Sequence, residues 1–197
     1  AAASTTELVL RLADLWRIDL TLDMAASIYA GLVFDTSVFR YGHTDAETLR
    51  IAARLVETGI DHRKIVEKVL FEQRVDKVRL KGRMIADMRV EADGLYAWAC
   101  LSAADVNGTE TGGLVDDLVF VEGVEIGALL VEHSDGRVKV SLRSRGAVDV
   151  ADLAQRCAPS GGGHPRSAGV TLNTDLNHAC SFLSQQVHSA LSACESV

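Results

Sequence analysis

Hydrophobic residues recur at helical spacing through roughly the first 75 positions, and beyond them strand-like alternation mixes with further helical periods. Ser4 and Glu7 form a Ser-x-x-Glu capping box that opens a first helix, and Leu8, Leu12 and Leu15 follow at helical spacing. Thr21 to Ala30 is a second apolar segment. Thr44 and Glu47 repeat the capping pattern for a third helix, in which Leu49, Ala52, Ala53 and Val56 share a face and Gly59 provides the stop. A fourth helix is predicted from Asp61 to Phe71. From Leu80 the pattern changes: LYAWACLS, EIGALLVE and RVKVSLRSR read as strands, interleaved with helical patterns at Gly113 to Phe120 and Val150 to Cys157. A closing helix aligns Leu176, Ala179, Leu183, Val187 and Leu191 on one side. These rhythms predict a boundary within residues 72–80, between a helical segment and an α/β domain, with no internal repeat or low-complexity tract.

At 197 residues and 48% hydrophobic content, the chain has the makings of one sizeable core or two small ones. A net charge of −7 argues against a general polyanion coat and directs attention to local basic patches. The cysteines, Cys100, Cys157, Cys180 and Cys194, have no Cys-x-x-Cys pair and no dense spacing. They read as reduced, mostly buried thiols of a cytoplasmic protein. No run reaches the ~18 apolar residues of a membrane span, and AAASTTELVL lacks the layout of a signal peptide. The chain opens without methionine directly on a helix start, as a chain entered midway would, or a mature protein with its methionine removed.

Candidate chemistry lies in three places. In RVKVSLRSR, two-residue periodicity puts Val138, Val140 and Leu142 on one face and Arg137, Lys139, Ser141, Arg143 and Arg145 on the other. Guanidinium forks suit phosphate or carboxylate oxygens, although a charged strand is also an ordinary solvated sheet edge. Some fifteen residues on, PSGGGHPRSAG sets Gly161, Gly162 and Gly163 before His164. Bare glycines let a backbone approach a ligand and offer it N–H groups, although such a loop is also an ordinary turn. It is neither a P-loop nor a dinucleotide fingerprint. Far upstream, Asp35 ends an apolar segment ahead of Thr36 and Ser37, where a carboxylate serves either a hard cation or a helix or turn cap.

Together these residues resemble a known family. GGGHPRSAG is similar to the GGGHxxAAG signature of the domain associated with DHH-type phosphoesterases, and KVSLRSR resembles the strand that precedes it. AGLVFDTSVFRYGHTDAETLRIAARLVETGID resembles the last metal-binding motif of the catalytic domain, and ASTTELVLRL a helix shortly after its DHH tripeptide. The DTSVFR and SLRSR forms look most like the oligoribonuclease, or nanoRNase, branch, which also removes the 3′-phosphate of phosphoadenosine phosphate. Residues 79–125 carry no sharp motif.

The resemblance implies an α/β fold in which residues 1–75 are a helical part of the catalytic domain and residues 76–197 a DHH-associated substrate-binding domain with a mixed sheet. It implies Mn²⁺ as cofactor, two ions in a complete site, with Mg²⁺ as the alternative. Asp35 is the one residue matching a catalytic metal ligand; His62 lies beyond the motif and is not counted. Arg143, helped by Arg145, would grip a substrate phosphate, Gly161, Gly162, Gly163 and His164 would cradle it, Ser141 would add a hydroxyl, and Arg166 would solvate the loop. The implied partner is short single-stranded RNA or a nucleotide, with no membrane and with a homodimer as an open assembly state. With one matching carboxylate, the chain alone is not expected to be an efficient nuclease. A cyclic-dinucleotide phosphodiesterase and a non-catalytic nucleic-acid-binding module are the alternative readings.

Overall fold

The computed structural model describes residues 2–40 and 44–194. Tyr41, Gly42 and His43, inside the motif around Asp35, lie outside the described residues. The chain divides into two compact units, Ala1–Gln73 and Arg74–Val197.

The first unit is helical: α1 (Thr5–Leu15), α2 (Leu22–Asp35), α3 (Ala46–Glu57) and α4 (His62–Val66), the last continued by a π-helical turn, Glu67–Phe71. Ser4 caps α1 as expected, its hydroxyl accepting from the Thr6 N–H. Glu7, however, is buried and accepts from the Ala3 N–H while pairing with Arg11. The rotation of α1 follows from its packing. Gly31 of α2 lies so close to Thr6 that an added Cβ would stand 2.3 Å from the threonine methyl. Leu10 and Ala13 then point into the core, and the predicted stripe of Leu8, Leu12 and Leu15 is exposed. A second expectation is corrected at α3: its cap is Asp45, which accepts from the Thr48 N–H, rather than Thr44. The helix accordingly buries Thr48, Ile51, Ala52 and Leu55, leaving Leu49 and Ala53 outside. Gly59 does end it, at a positive φ of 93°.

The second unit is a six-stranded mixed sheet with helices on both faces, the α/β class predicted. Its elements are α5 (Val75–Ala86), β1 (Arg89–Glu91), β2 (Tyr96–Leu101), α6 (Ala103–Val106), α7 (Val115–Val119), β3 (Ile126–Glu132), β4 (Val138–Ser144), α8 (Val150–Cys157), β5 (Gly162–His164), β6 (Ser167–Leu172) and α9 (Leu176–Cys194). The strand order is β1-β2-β3-β4-β6-β5, with β2 and β3 parallel and the other pairs antiparallel. The glycine-rich stretch is therefore a short hairpin in the sheet, where a free loop was expected. One sheet face, including Val138, Val140, Leu142, Ala168 and Val170, packs against α8 and α9; in α9 Ala179, Leu183, Val187 and Leu191 are buried as predicted and Leu176 is half-buried. On the other face Ala97, Ala99, Leu101, Leu129 and Val131 form a second core with α5 and α7. That apolar pattern stops at β3; on β4, β6 and β5 the same face turns polar.

All four cysteines are free thiols; Cys100, Cys157 and Cys180 are half-buried and Cys194 is exposed, so they are less buried than expected. Burial, followed by the adjacent Cys100, pushes the Cys180 thiol up to about 12. No described helix is long and apolar enough to cross a membrane.

Candidate functional site

Strand register assembles the polar half-face. Cross-strand partners share a side of a sheet, so Arg143, Ser167 and His164 form one row, Ser141, Gly169 and Gly162 the next, and Lys139 and Thr171 a third. Lys139 and His164 are exposed; Ser141, Arg143 and Ser167 are half-buried. His164 has no side-chain hydrogen bond among the described residues and faces solvent. The cationic strand and the glycine-histidine segment, eighteen residues apart between Arg143 and Gly161 in the sequence, thus present their polar groups on the same surface.

Arg143 does not stand idle on that surface. Its Nε donates to Asp116 Oδ1 of α7 at 2.7 Å and its Nη1 to the Leu142 carbonyl, with the side chain 26% exposed. Gly127 makes this contact sterically feasible: it is paired with Arg143 in the sheet, and a Cβ there would lie 2.7 Å from the Val119 nitrogen of the same helix. Arg145 lies past the end of β4. Its guanidinium donates to the carbonyls of Val119 and Val121, so it serves the C-terminal end of α7. The turn after β4 is fixed by Glu125, one of whose carboxylate oxygens accepts from the Ser144 hydroxyl and from the N–H groups of Gly146, Ala147 and Val148 at 2.8 to 3.2 Å. Arg166 lies with its guanidinium against Gly146, where an added Cβ would meet Nη2 at 2.8 Å.

The three glycines have different reasons to be bare. A Cβ on Gly161 would sit 2.1 Å from the Ala154 carbonyl oxygen at the end of α8. Gly163 adopts φ +148°, and its Cβ would meet the Ser167 carbonyl at 2.4 Å. Both are therefore demanded by the protein's own backbone. Gly162 alone has nothing within 4 Å of its missing Cβ.

Asp35 belongs to the first unit. It is the last residue of α2, exposed, and without a hydrogen bond or ion pair among the described residues. The cap is Thr36, completely buried, whose hydroxyl donates to the Leu32 carbonyl and accepts from the Phe39 N–H. Ser37, Val38 and Phe39 then follow in succession at φ 47°, 56° and 64°, left-handed backbone that non-glycine residues seldom adopt. Among the described residues no group of three or more His, Cys, Asp or Glu side chains is arranged to hold a metal ion.

Sequence reasoning missed Asp116, which engages Arg143 from 27 residues away, and Glu125, which accepts from the Ser144 hydroxyl from 19 residues away and holds the turn after it. It noticed Lys139 only as part of a charged face, and it missed Ser167 and Thr171, whose alternation with the buried Ala168 and Val170 was the available signal.

Residues 93–191 match the DHHA1 domain, half of the chain, and the chain belongs to that family. It is 32% identical over 181 residues to the bifunctional oligoribonuclease and PAP phosphatase NrnA of Thermus thermophilus, an alignment covering 90% of this chain and 54% of that protein. With the corresponding Bacillus subtilis protein of the same name it shares 28% identity over 152 residues, 75% of this chain and 47% of the relative. The chain thus spans about half the length of these curated relatives. A crystal structure of an exopolyphosphatase-related protein from Bacteroides fragilis superimposes with a TM-score of 0.90 at 27% identity, covering 98% of this chain and 58% of that one.

Proposed function

We propose that the chain is the substrate-gripping portion of a metal-dependent phosphoesterase that hydrolyses short RNA oligonucleotides and 3′-phosphoadenosine 5′-phosphate. The observation that carries this reading is the row of Arg143, Ser167 and His164, adjoined by Ser141 and the open Gly162, on an accessible sheet face. A guanidinium, an imidazole, hydroxyls and an uncovered glycine backbone are complementary to a terminal phosphate. The names borne by the Thermus and Bacillus relatives select the reaction class. Arg143 and His164 are the principal contacts in this proposal and Ser141 an auxiliary one. Gly162 is the glycine that meets the ligand, while Gly161 and Gly163 hold the hairpin in place. Arg145 acts on the site through α7.

Divalent-metal dependence, with manganese as the ion, belongs to the same proposal. Asp35 would supply one carboxylate to it. The described residues do not make up a complete metal site, and no hydrolytic step is assigned to them. A cytoplasmic setting is consistent with four free thiols, and the assembly state, a homodimer by expectation, is read by light scattering.

The test is turnover by the gene product with Mn²⁺ of a diribonucleotide, 3′-phosphoadenosine 5′-phosphate and cyclic di-AMP. The first two should be consumed in preference to the third. Preference for cyclic di-AMP would reassign the protein to cyclic-dinucleotide signalling. Inactivity on all three with metal bound would leave a nucleic-acid-binding module.

A further inference from the structure

Two hollows meet at the part of β6 that β5 leaves without a neighbour. β5 pairs only with Ser167, Ala168 and Gly169, so the outer edge of Val170 to Leu172 carries no strand. On the cationic face a shallow hollow of about 430 Å³ is bordered by Arg137, Lys139, Thr171, Asn173 and Ser160. A larger one of about 780 Å³ shares Ser160, Thr171 and Asn173 as its rim and reaches Pro159, Phe182 and Gln185. A ligand strand leaving Arg143 along β4 reaches the first hollow and then, around the sheet edge, the second.

The two differ in chemistry. Lys139 continues the face of Arg143 and Ser141 in two-residue steps of about 6.8 Å. Its ammonium has no hydrogen-bond or ion-pair partner among the described residues, and the Thr171 hydroxyl is its cross-strand neighbour. Arg137 is engaged by Asp135 in an exposed ion pair, the kind that solvent already weakens. This is a setting for a phosphodiester. In the second hollow Phe182 is 36% exposed. Pro159 and Leu172 extend its apolar floor, while Asn173, Gln185 and the Asp175-paired His178 stand around it as polar groups. A flat apolar platform with amides at its margin suits a nucleobase from a single strand.

We infer that the joined hollows are a downstream-nucleotide subsite, in which Lys139 and Thr171 hold a phosphate of a single-stranded oligoribonucleotide and Phe182 stacks on its base. This rests on the reading that a terminal phosphate sits at Arg143 and His164, and it adds the element that distinguishes a longer oligomer from a dinucleotide.

The experiment is calorimetric titration of the chain with 5′-phosphorylated diadenylate and pentaadenylate at several KCl concentrations. Wild type should bind the pentamer more tightly. Phe182→Ala should remove about 5-fold or more of that advantage and Phe182→Trp restore it. Lys139→Ala should reduce the salt dependence of pentamer binding, in log–log slope, by about 0.7, one phosphate contact. Neither should alter diadenylate binding, whereas Arg143→Ala should weaken both ligands. Equal affinities for the two lengths in wild type, or a pentamer advantage untouched by Lys139→Ala and Phe182→Ala, overturns the subsite. If diadenylate binds without regard to Arg143 while the pentamer still needs Lys139 and Phe182, the subsite stands and the terminal-phosphate reading falls.

Discussion

Arg143 is held by a carboxylate before any ligand arrives, and its contribution to binding depends on that competition. Removing it should cost about 1.5–3 kcal/mol of affinity for a phosphorylated dinucleotide, the range for a hydrogen bond to a charged group. Asp116→Asn should act in the opposite direction, freeing the guanidinium and tightening the same ligand in the same titration. Glu125 works on the fold: with Glu125→Ala, three N–H groups and one hydroxyl lose their common acceptor. A loss of about 1–3 kcal/mol in denaturant unfolding is expected. Alternation along KVSLRS was enough to place Lys139, Ser141 and Arg143 on one face, because neighbouring positions in a strand must point to opposite sides. The partner of Arg143 was not legible, since Asp116 reaches it only through the three-dimensional return of α7 against the sheet.

The hairpin of β5 and β6 separates two uses of glycine that are identical in one-letter code. Gly161→Ala and Gly163→Ala should lower the melting temperature, because each added methyl collides with backbone that cannot move aside. Gly162→Ala should leave the melting temperature nearly unchanged yet weaken dinucleotide binding; unchanged affinity would remove Gly162 from the site. A second device joins β1 and β2 to α9. Burial disfavours ionisation of Glu91, but hydrogen bonds from the Ser184 hydroxyl and the Trp98 indole outweigh it and hold the carboxyl below its ordinary 4.5. A depressed folded value means that the stabilisation is complete above the unfolded pKa and is lost as pH falls through the folded one. Melting temperatures followed from about pH 6 to pH 3 should therefore drop less steeply in Glu91→Gln than in wild type. The existence of the long elements was readable, as α9 shows by burying the residues its period selects. The rotation of α1 and α3 was not, because Gly31 against Thr6 and the Asp45 cap decide it through contacts that periodicity does not contain. β5, three residues of glycine and histidine, has no strand signal of its own and exists because β6 lies beside it.

The two units have separate hydrophobic clusters, one around Leu32 and Leu55 and two on the faces of the sheet. Residues 74–197 are accordingly expected to fold alone, with a cooperative thermal transition and undiminished Arg143-dependent dinucleotide binding. Retained binding locates the phosphate grip within this unit; its loss would show that the first unit contributes to it. The acidic balance of the whole chain, −7, makes the cationic row on β4 a local exception on a body that repels polyanions. That strand has seven residues, a length of about 23 Å. Past its far end come Arg137, already engaged, and Asp135 in the turn. An extended RNA therefore finds ionic partners only while its phosphates lie over the strand, and past the adjoining Phe182 hollow a further nucleotide adds no contact of this kind. β4 acts as a ruler: affinity should climb over the first few nucleotides and then level off, with the plateau set by where the strand stops.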